Sequence, residues 1–264
     1  MSTAPEPKLT QFKAIIFDVY GTLVDWETGL YAGLSPLINT ILPADEVADW
    51  TRRETILAFG SVEKDLQFKH PDMLYRDVLA AAFVELAKRL ESAVDGSVEM
   101  DGVRLKEEGK KFGDSIKDWP VFPDTRDALQ YLAQHFALVV LSNVDHASFA
   151  HTHKALSDPT TTKSPFSLVI TAQDVGAYKP SLAMYNRALA DIQSKFGIEK
   201  HEVLVVAQSL FHDHVPANEL GIPSVWIDRQ GACAGVDVQG GQVDVEVRDV
   251  LGGMAEAVKE ETKG

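Results

Sequence analysis

Five short apolar runs punctuate the chain, and each stops on a polar residue. Residues 14–17 (Ala-Ile-Ile-Phe) stop at Asp18, and 137–141 (Ala-Leu-Val-Val-Leu) stop at Ser142-Asn143. Residues 167–170 stop at Thr171, 203–207 at Gln208-Ser209, and 224–227 at Asp228-Arg229. The runs are aliphatic and lack polar alternation, as strands do when a parallel sheet buries both their faces. Between them, 125–135, 182–196 and 214–220 repeat apolar residues at helical spacing, with Pro123-Asp124 as a start signal and Gly197 and Gly221 as stops. The alternation predicts an α/β fold with a doubly wound, Rossmann-like parallel-sheet core. Chemistry in such sheets gathers at the carboxyl ends of the strands, where these polar residues fall.

Residues 30–112 break the alternation. They contain no strand-like run, and 72–90 show the clearest amphipathic pattern, with Leu74, Val78, Leu79, Ala82, Phe83, Leu86 and Leu90 on one face. A helical block between the first strand and the remaining α/β units reads as an insertion into one fold. The expected organisation is a flexible tail over 1–10, a core formed by 11–28 and 113–264, and an all-helical cap over 29–112. The Gly-rich stretch 231–244 is expected to be a surface loop or hairpin.

Composition narrows the function classes. The chain has 264 residues, 45% of them hydrophobic, enough for a substantial core. Lys and Arg total 25 against 39 Asp and Glu, a net charge of −14. That field repels phosphate backbones, so no nucleic acid partner is expected. Cys233 is the single cysteine, which excludes an intrachain disulfide and a Cys-rich metal centre. No apolar stretch approaches the roughly 20 residues that span a bilayer, and residues 1–10 carry no signal-peptide pattern. A soluble, cytoplasmic protein without membrane association is the expectation.

The candidate chemistry starts at Asp18-Val19-Tyr20-Gly21-Thr22-Leu23. A carboxylate at the end of a buried strand is partly desolvated and rigidly held. Gly21 permits a turn, and Thr22 supplies a hydroxyl to orient Asp18. Taken alone, the same residues also fit a strand-terminal Asp that caps the next turn. Likewise Ser142-Asn143 fits an ordinary turn, Lys179-Pro180 a surface pair, and Asp213 a helix N-cap.

Taken together, the four segments resemble the haloacid dehalogenase-like hydrolases. Asp18-x-Tyr20-Gly21-Thr22-Leu23 is similar to that family's first motif, Ser142 to its second, Lys179-Pro180 to its third, and Asp213 to its fourth. The resemblance runs over residues 14–229, with the helical block where the family places its cap. Position 20 points to the 2-haloacid dehalogenase subgroup. The superfamily's phosphatases carry a second Asp there to protonate the leaving alkoxide. A phenol, with a pKa of about 10, is poorly suited to that task, and a halide needs no proton. Tyr185, six residues after Lys179, fits the same subgroup.

The resemblance implies a mechanism. Asp18 displaces halide from the α-carbon of a small (S)-2-haloacid, giving a covalent aspartyl ester. Water then attacks the ester carbonyl and releases the (R)-2-hydroxy acid. Lys179 favours the ionised Asp18 carboxylate, and Asp213 orients or activates the water. Ser142, Asn143, Tyr20, Thr22, Tyr185, Gln208 and Ser209 are the expected substrate-binding residues. Arg53, or its neighbour Arg52, is the expected cation for the substrate carboxylate. No metal and no cofactor are expected, because Lys179 provides the positive charge. A Mg²⁺-dependent phosphatase and a catalytically idle binding protein are the alternatives. Similar proteins are commonly dimers, so a homodimer is the candidate assembly.

Two features depart from the pattern or compete with it. The fourth motif reads Gln208-Ser209-Leu210, with Leu210 where the family has an Asn that helps place the hydrolytic water; Gln208 and His212 are the nearest substitutes. The histidines at 146, 151, 153, 212 and 214 suggest ligands superficially. Spacing of two residues, however, does not bring paired imidazoles to one helical face.

Overall fold

The computed structural model describes residues 8–47, 50–95, 97–229, 232–235, 246–248 and 250–263. In chain order its elements are β1 (Ala14–Phe17), α1 (Trp26–Ile41), α2 (Ala44–Val47), α3 (Arg52–Lys69), α4 (Tyr75–Ala93), α5 (Gly102–Gly113), α6 (Thr125–Leu132), β2 (Ala137–Ser142), α7 (His146–Leu156), β3 (Leu168–Thr171), α8 (Ala172–Val175), α9 (Leu182–Phe196), β4 (Val203–Ala207), α10 (Val215–Glu219), β5 (Ser224–Ile227), β6 (Glu246–Arg248) and α11 (Leu251–Lys263). All six strands are parallel, in the order β3-β2-β1-β4-β5-β6. The expected doubly wound α/β core is therefore present.

The apolar runs predict the strands because nothing else in the fold can bury them. Every residue of β1 and of β4 is buried. At about 1.5–3 kcal/mol per fully buried Val, Leu, Ile or Phe side chain, these strands anchor the core. Register then fixes the site. Phe17 pairs with Val140 on one side and Val206 on the other. Asp18, the next residue, emerges between the ends of β2 and β4. This is where the strand order reverses, the point at which neighbouring loops diverge and leave a crevice.

From α1 to α5 every described element is a helix, joined by irregular connections. Three of these helices, α1, α3 and α5, begin on side-chain caps: Asp25 accepts from Thr28 N, Thr51 from Glu54 N, and Asp101 from Arg104 N. Phe59, Phe83 and Phe112 meet in the middle, at ring separations of 5.4 and 5.2 Å, and tie α3, α4 and α5 together. The first helix begins at Trp26, ahead of the expected boundary at residue 29, because Asp25 caps it.

Several sequence expectations shift at their edges. The helix expected over 72–90 starts at Tyr75. The helix expected over 125–135 ends at Leu132. Residues 214–220 become a π-helical turn (Leu210–His214) followed by the short α10, with Pro216 in its first turn. The tail was expected to be flexible to residue 10. Instead, Leu9 is buried, and the Glu261 carboxylate of α11 accepts from Leu9 N (3.1 Å) and Thr10 N (2.8 Å). Residues 1–7, and within 231–244 all but 232–235, lie outside the described residues. No described helix is long and apolar enough to cross a membrane.

Candidate active site

The site is built around a buried ammonium group. Lys179 is 2% exposed. Its Nζ donates to Asp18 Oδ1 (2.8 Å), Asp213 Oδ1 (2.7 Å) and the Leu141 carbonyl (3.0 Å), satisfying all three of its donors. Three strand ends, those of β1, β2 and β4, thus converge on one cation. Burial alone would depress its pKa, but the two carboxylates outweigh burial and hold it above the ordinary lysine value.

Asp18 is held from its other side. Thr22 Oγ1 donates to Asp18 Oδ2 (2.6 Å) and accepts from Gln208 N (2.9 Å). The Thr22 carbonyl in turn accepts from Arg229 Nε (3.1 Å) and Nη2 (2.7 Å), while Arg229 Nη1 pairs with Asp124 (2.8 Å). Gly21 makes the turn possible. It has φ +98°, and a Cβ there would lie 2.9 Å from Trp26 Nε1.

Asp213 does not cap the following helix. It lies in the π-helical turn, which aims its side chain at Lys179. Its Oδ1 also accepts from the Tyr185 hydroxyl (2.7 Å), while Oδ2 is buried without a partner among the described residues. Burial, aided by the nearby Asp18 charge, pushes the Asp213 pKa up to about 6, against the opposing pull of Lys179 and Tyr185. Burial also raises Tyr185 well above the usual phenol range.

The remaining candidates divide by what they touch. Ser142 is buried, and its Oγ has no partner among the described residues. Asn143 turns away from an open role: its Nδ2 donates to the Lys179 carbonyl (3.1 Å), and its Oδ1 accepts from Lys179 N (2.6 Å). It therefore clamps the main chain that carries the cation. Ser209 Oγ accepts from His212 N and bonds His212 Nδ1, both at 3.1 Å, so it serves the turn. Gln208 Nε2 donates to the Ala234 carbonyl (3.0 Å), and Leu210 N donates to the Gly235 carbonyl (2.7 Å). The loop at 232–235 thereby seals this edge.

Tyr20 forms the roof. Its hydroxyl shares a hydrogen bond with Thr152 Oγ1 (2.8 Å), and its ring meets Trp119 edge-on at 5.4 Å and Tyr75 at 6.4 Å. Burial holds it above the ordinary phenol range. The two arginines lie at the start of α3, both exposed. Arg52 faces Asp25 (3.8 Å), Glu27 (3.7 Å) and Thr28 Oγ1 (3.2 Å). Arg53 has no ion-pair partner among the described residues, and neither arginine touches the Asp18 cluster.

The histidines are dispersed. His146 meets Asp174, His153 meets Ser164, and His214 lies between Ser224 Oγ (2.9 Å) and the Ala207 carbonyl (3.0 Å). Among the described residues, no group of three or more His, Cys, Asp or Glu is placed to hold a metal ion.

Sequence reasoning missed Arg229, Asn143's true task, and Asp145. Asp145 caps α7 through Ser148 N (2.9 Å) and accepts from Arg76 N (3.2 Å) at the start of α4. Apart from the local Asp145–Ser148 cap, these contacts join residues far apart in the chain. The polar strand ends Ser142-Asn143 and Asp228-Arg229 were the signals for Asn143 and Arg229; Asp145 had none.

Comparison with known proteins agrees with this architecture. The family model described as haloacid dehalogenase-like hydrolase matches residues 12–207. The chain is 25% identical over 246 residues to the (S)-2-haloacid dehalogenase H-109 of Pseudomonas putida, covering 92% of this chain and 96% of that one. Its fold is similar to that of the L-2-haloacid dehalogenase of Xanthobacter autotrophicus solved with chloropropionic acid covalently bound. There the TM-score is 0.68 at 18% identity, covering 94% of this chain and 98% of that one. It is also similar to the HAD-hydrolase YfnB of Bacillus subtilis bound to magnesium, with TM-score 0.66 at 17% identity, covering 94% and 99% of the two chains. The family match spans Asp18, Ser142 and Lys179, and with it the chain belongs to the haloacid dehalogenase-like hydrolases.

Proposed function

We propose that this protein hydrolyses the carbon–halogen bond of a small (S)-2-haloacid, giving the (R)-2-hydroxy acid through a covalent ester on Asp18. The supporting observation is the single ammonium of Lys179 held between two buried carboxylates, with a tyrosine at position 20. The relative from Pseudomonas putida supports the same substrate class.

In the first half-reaction an Asp18 oxygen attacks the α-carbon, and the carbon–halogen electron pair leaves with the halide. The Thr22 hydroxyl and the Lys179 ammonium fix the attacking carboxylate. The Ser142 hydroxyl, without a partner among the described residues, is a buried donor available to the substrate. Arg53 takes the substrate carboxylate in this reading, since Arg52 is engaged by Asp25, Glu27 and Thr28.

In the second half-reaction water adds to the ester carbonyl of Asp18 while Asp213 Oδ2, without a partner among the described residues, accepts its proton. The acyl carbon–oxygen bond then breaks, the released alkoxide takes that proton to give the 2-hydroxy acid, and the Asp18 carboxylate is restored. Attack at the α-carbon inverts configuration, and attack at the aspartyl carbonyl leaves it unchanged. The helical block over 29–112 acts as the cap, and its closure excludes water until the ester has formed.

A phosphatase would need a general acid where Tyr20 stands. That phenol is bonded to Thr152 and held above its ordinary range, so it holds its proton too firmly for the task. The test is halide release from L- and D-2-chloropropionate, with phosphate release from phosphomonoesters measured in parallel with and without Mg²⁺. Halide from the L isomer alone is expected. Phosphate release without halide overturns the reading.

A further inference from the structure

The described part of the helical block holds a groove of about 490 Å³ between α3, α4 and α5, on surface the Asp18 chemistry does not use. The volume is in the range of small-molecule sites, about 300–1,000 Å³. Its floor is apolar: Val62 and Leu66 from α3, and Ala80, Ala81 and Val84 from α4. The two alanines leave the space, because larger side chains at those positions would fill the seam between α3 and α4. From Ala80 to Lys88 the helix rises about 12 Å, which sets the length of the groove.

The rim carries charge of one dominant sign. Lys69, Lys88, Arg89 and Lys106 face Asp65 and Glu85. Arg89 is engaged by both acids, at 3.1 Å from Glu85 and 3.4 Å from Asp65, and these contacts tie α4 to α3. Lys69, Lys88 and Lys106 have no ion-pair partner among the described residues. Lys106 is brought close by Gly109, where a Cβ would lie 2.8 Å from the Ala80 carbonyl. Three unpaired ammonium groups around an apolar floor are out of character for a chain of net charge −14. A bare phosphate or halide would leave the floor uncovered, and a neutral hydrocarbon would leave the ammonium groups unused.

We propose that this groove is a binding site for an amphipathic monoanion, an aliphatic carboxylate whose chain lies on the α3–α4 floor and whose head group meets the lysine rim. The site is separate from the Asp18 centre, so the proposal stands whether or not haloacids are the substrate.

The test is calorimetric titration of the full chain with octanoate, decanoate and, as a charge-reversed control, octyltrimethylammonium. Saturable binding of the carboxylates, tighter for decanoate and absent for the ammonium amphiphile, is expected. A variant carrying Lys69→Glu, Lys88→Glu and Lys106→Glu should bind about tenfold or more weakly, equivalent to ~1.4 kcal/mol. Ala81→Phe, which fills the groove and leaves every charge in place, should abolish binding, while Arg53→Ala should leave it unchanged. Equal binding of both amphiphiles, indifference to the lysine changes, or no binding at millimolar carboxylate would each overturn the proposal.

Discussion

At the scale of single residues, the site rests on one cation balancing two acids. A buried ion pair costs much of its attraction in lost hydration, so its stability depends on every partner being present. Tyr185 is the partner whose removal is most informative. Its hydroxyl stabilises the ionised Asp213, whose pKa is already raised to about 6 by burial. Removing it raises that pKa further. A base works only above its own pKa, so activity falls as pH drops through that value. In Tyr185→Phe the acid limb of the kcat profile should therefore move to higher pH, by about one unit for a lost charge-assisted hydrogen bond. An unmoved limb would show that Asp213 is not the base. Asp18, Lys179 and Asp213 were legible through the resemblance of their four ordered motifs to the haloacid dehalogenase-like hydrolases, since each residue taken alone also fits an ordinary turn, surface or capping role. Asn143 was legible as a polar strand end, but its clamp on Lys179 joins residues 36 apart, and no local pattern encodes that.

At the scale of elements, the five buried strands were readable from their unbroken apolar runs. The sixth, Glu246–Arg248, follows a Gly-rich stretch with no such run. The turn bearing Asp213 was read as the start of an ordinary helix. Helical spacing cannot distinguish an α-turn from the wider π-turn, yet that difference aims the carboxylate. Asp145 joins α7 to the start of α4 and so ties the helical block to the sheet's carboxyl edge. Asp145→Ala should cost about 1–2 kcal/mol from the lost cap alone, read as a lowered denaturant midpoint. Because the same change frees Arg76 N, KM should rise more than kcat falls. Equal losses in both would assign Asp145 a purely structural role.

At the scale of the whole molecule, the negative charge and the cationic centre coexist because the centre is enclosed. Burial has a further cost on acidification. His214 is fully buried between Ser224 and the Ala207 carbonyl, and burial lowers its pKa to about 4. Between that value and about 6.5, the unfolded chain binds a proton that the folded chain refuses. Stability should therefore fall with decreasing pH across that window, at up to about 1.4 kcal/mol per unit from this residue. His214→Gln should flatten the slope of Tm against pH over the same window. An unchanged slope would show that His214 is not its source.

The central claim is that Asp18 becomes the ester and that water attacks its carbonyl. Single-turnover reaction with L-2-chloropropionate in H₂¹⁸O, followed by mass spectrometry of the peptide containing Asp18, reads this directly. One ¹⁸O is expected in the Asp18 carboxylate and none in the first-turnover lactate. Label in the lactate with an unlabelled Asp18 would mean that water attacks the substrate itself, and would contradict that claim.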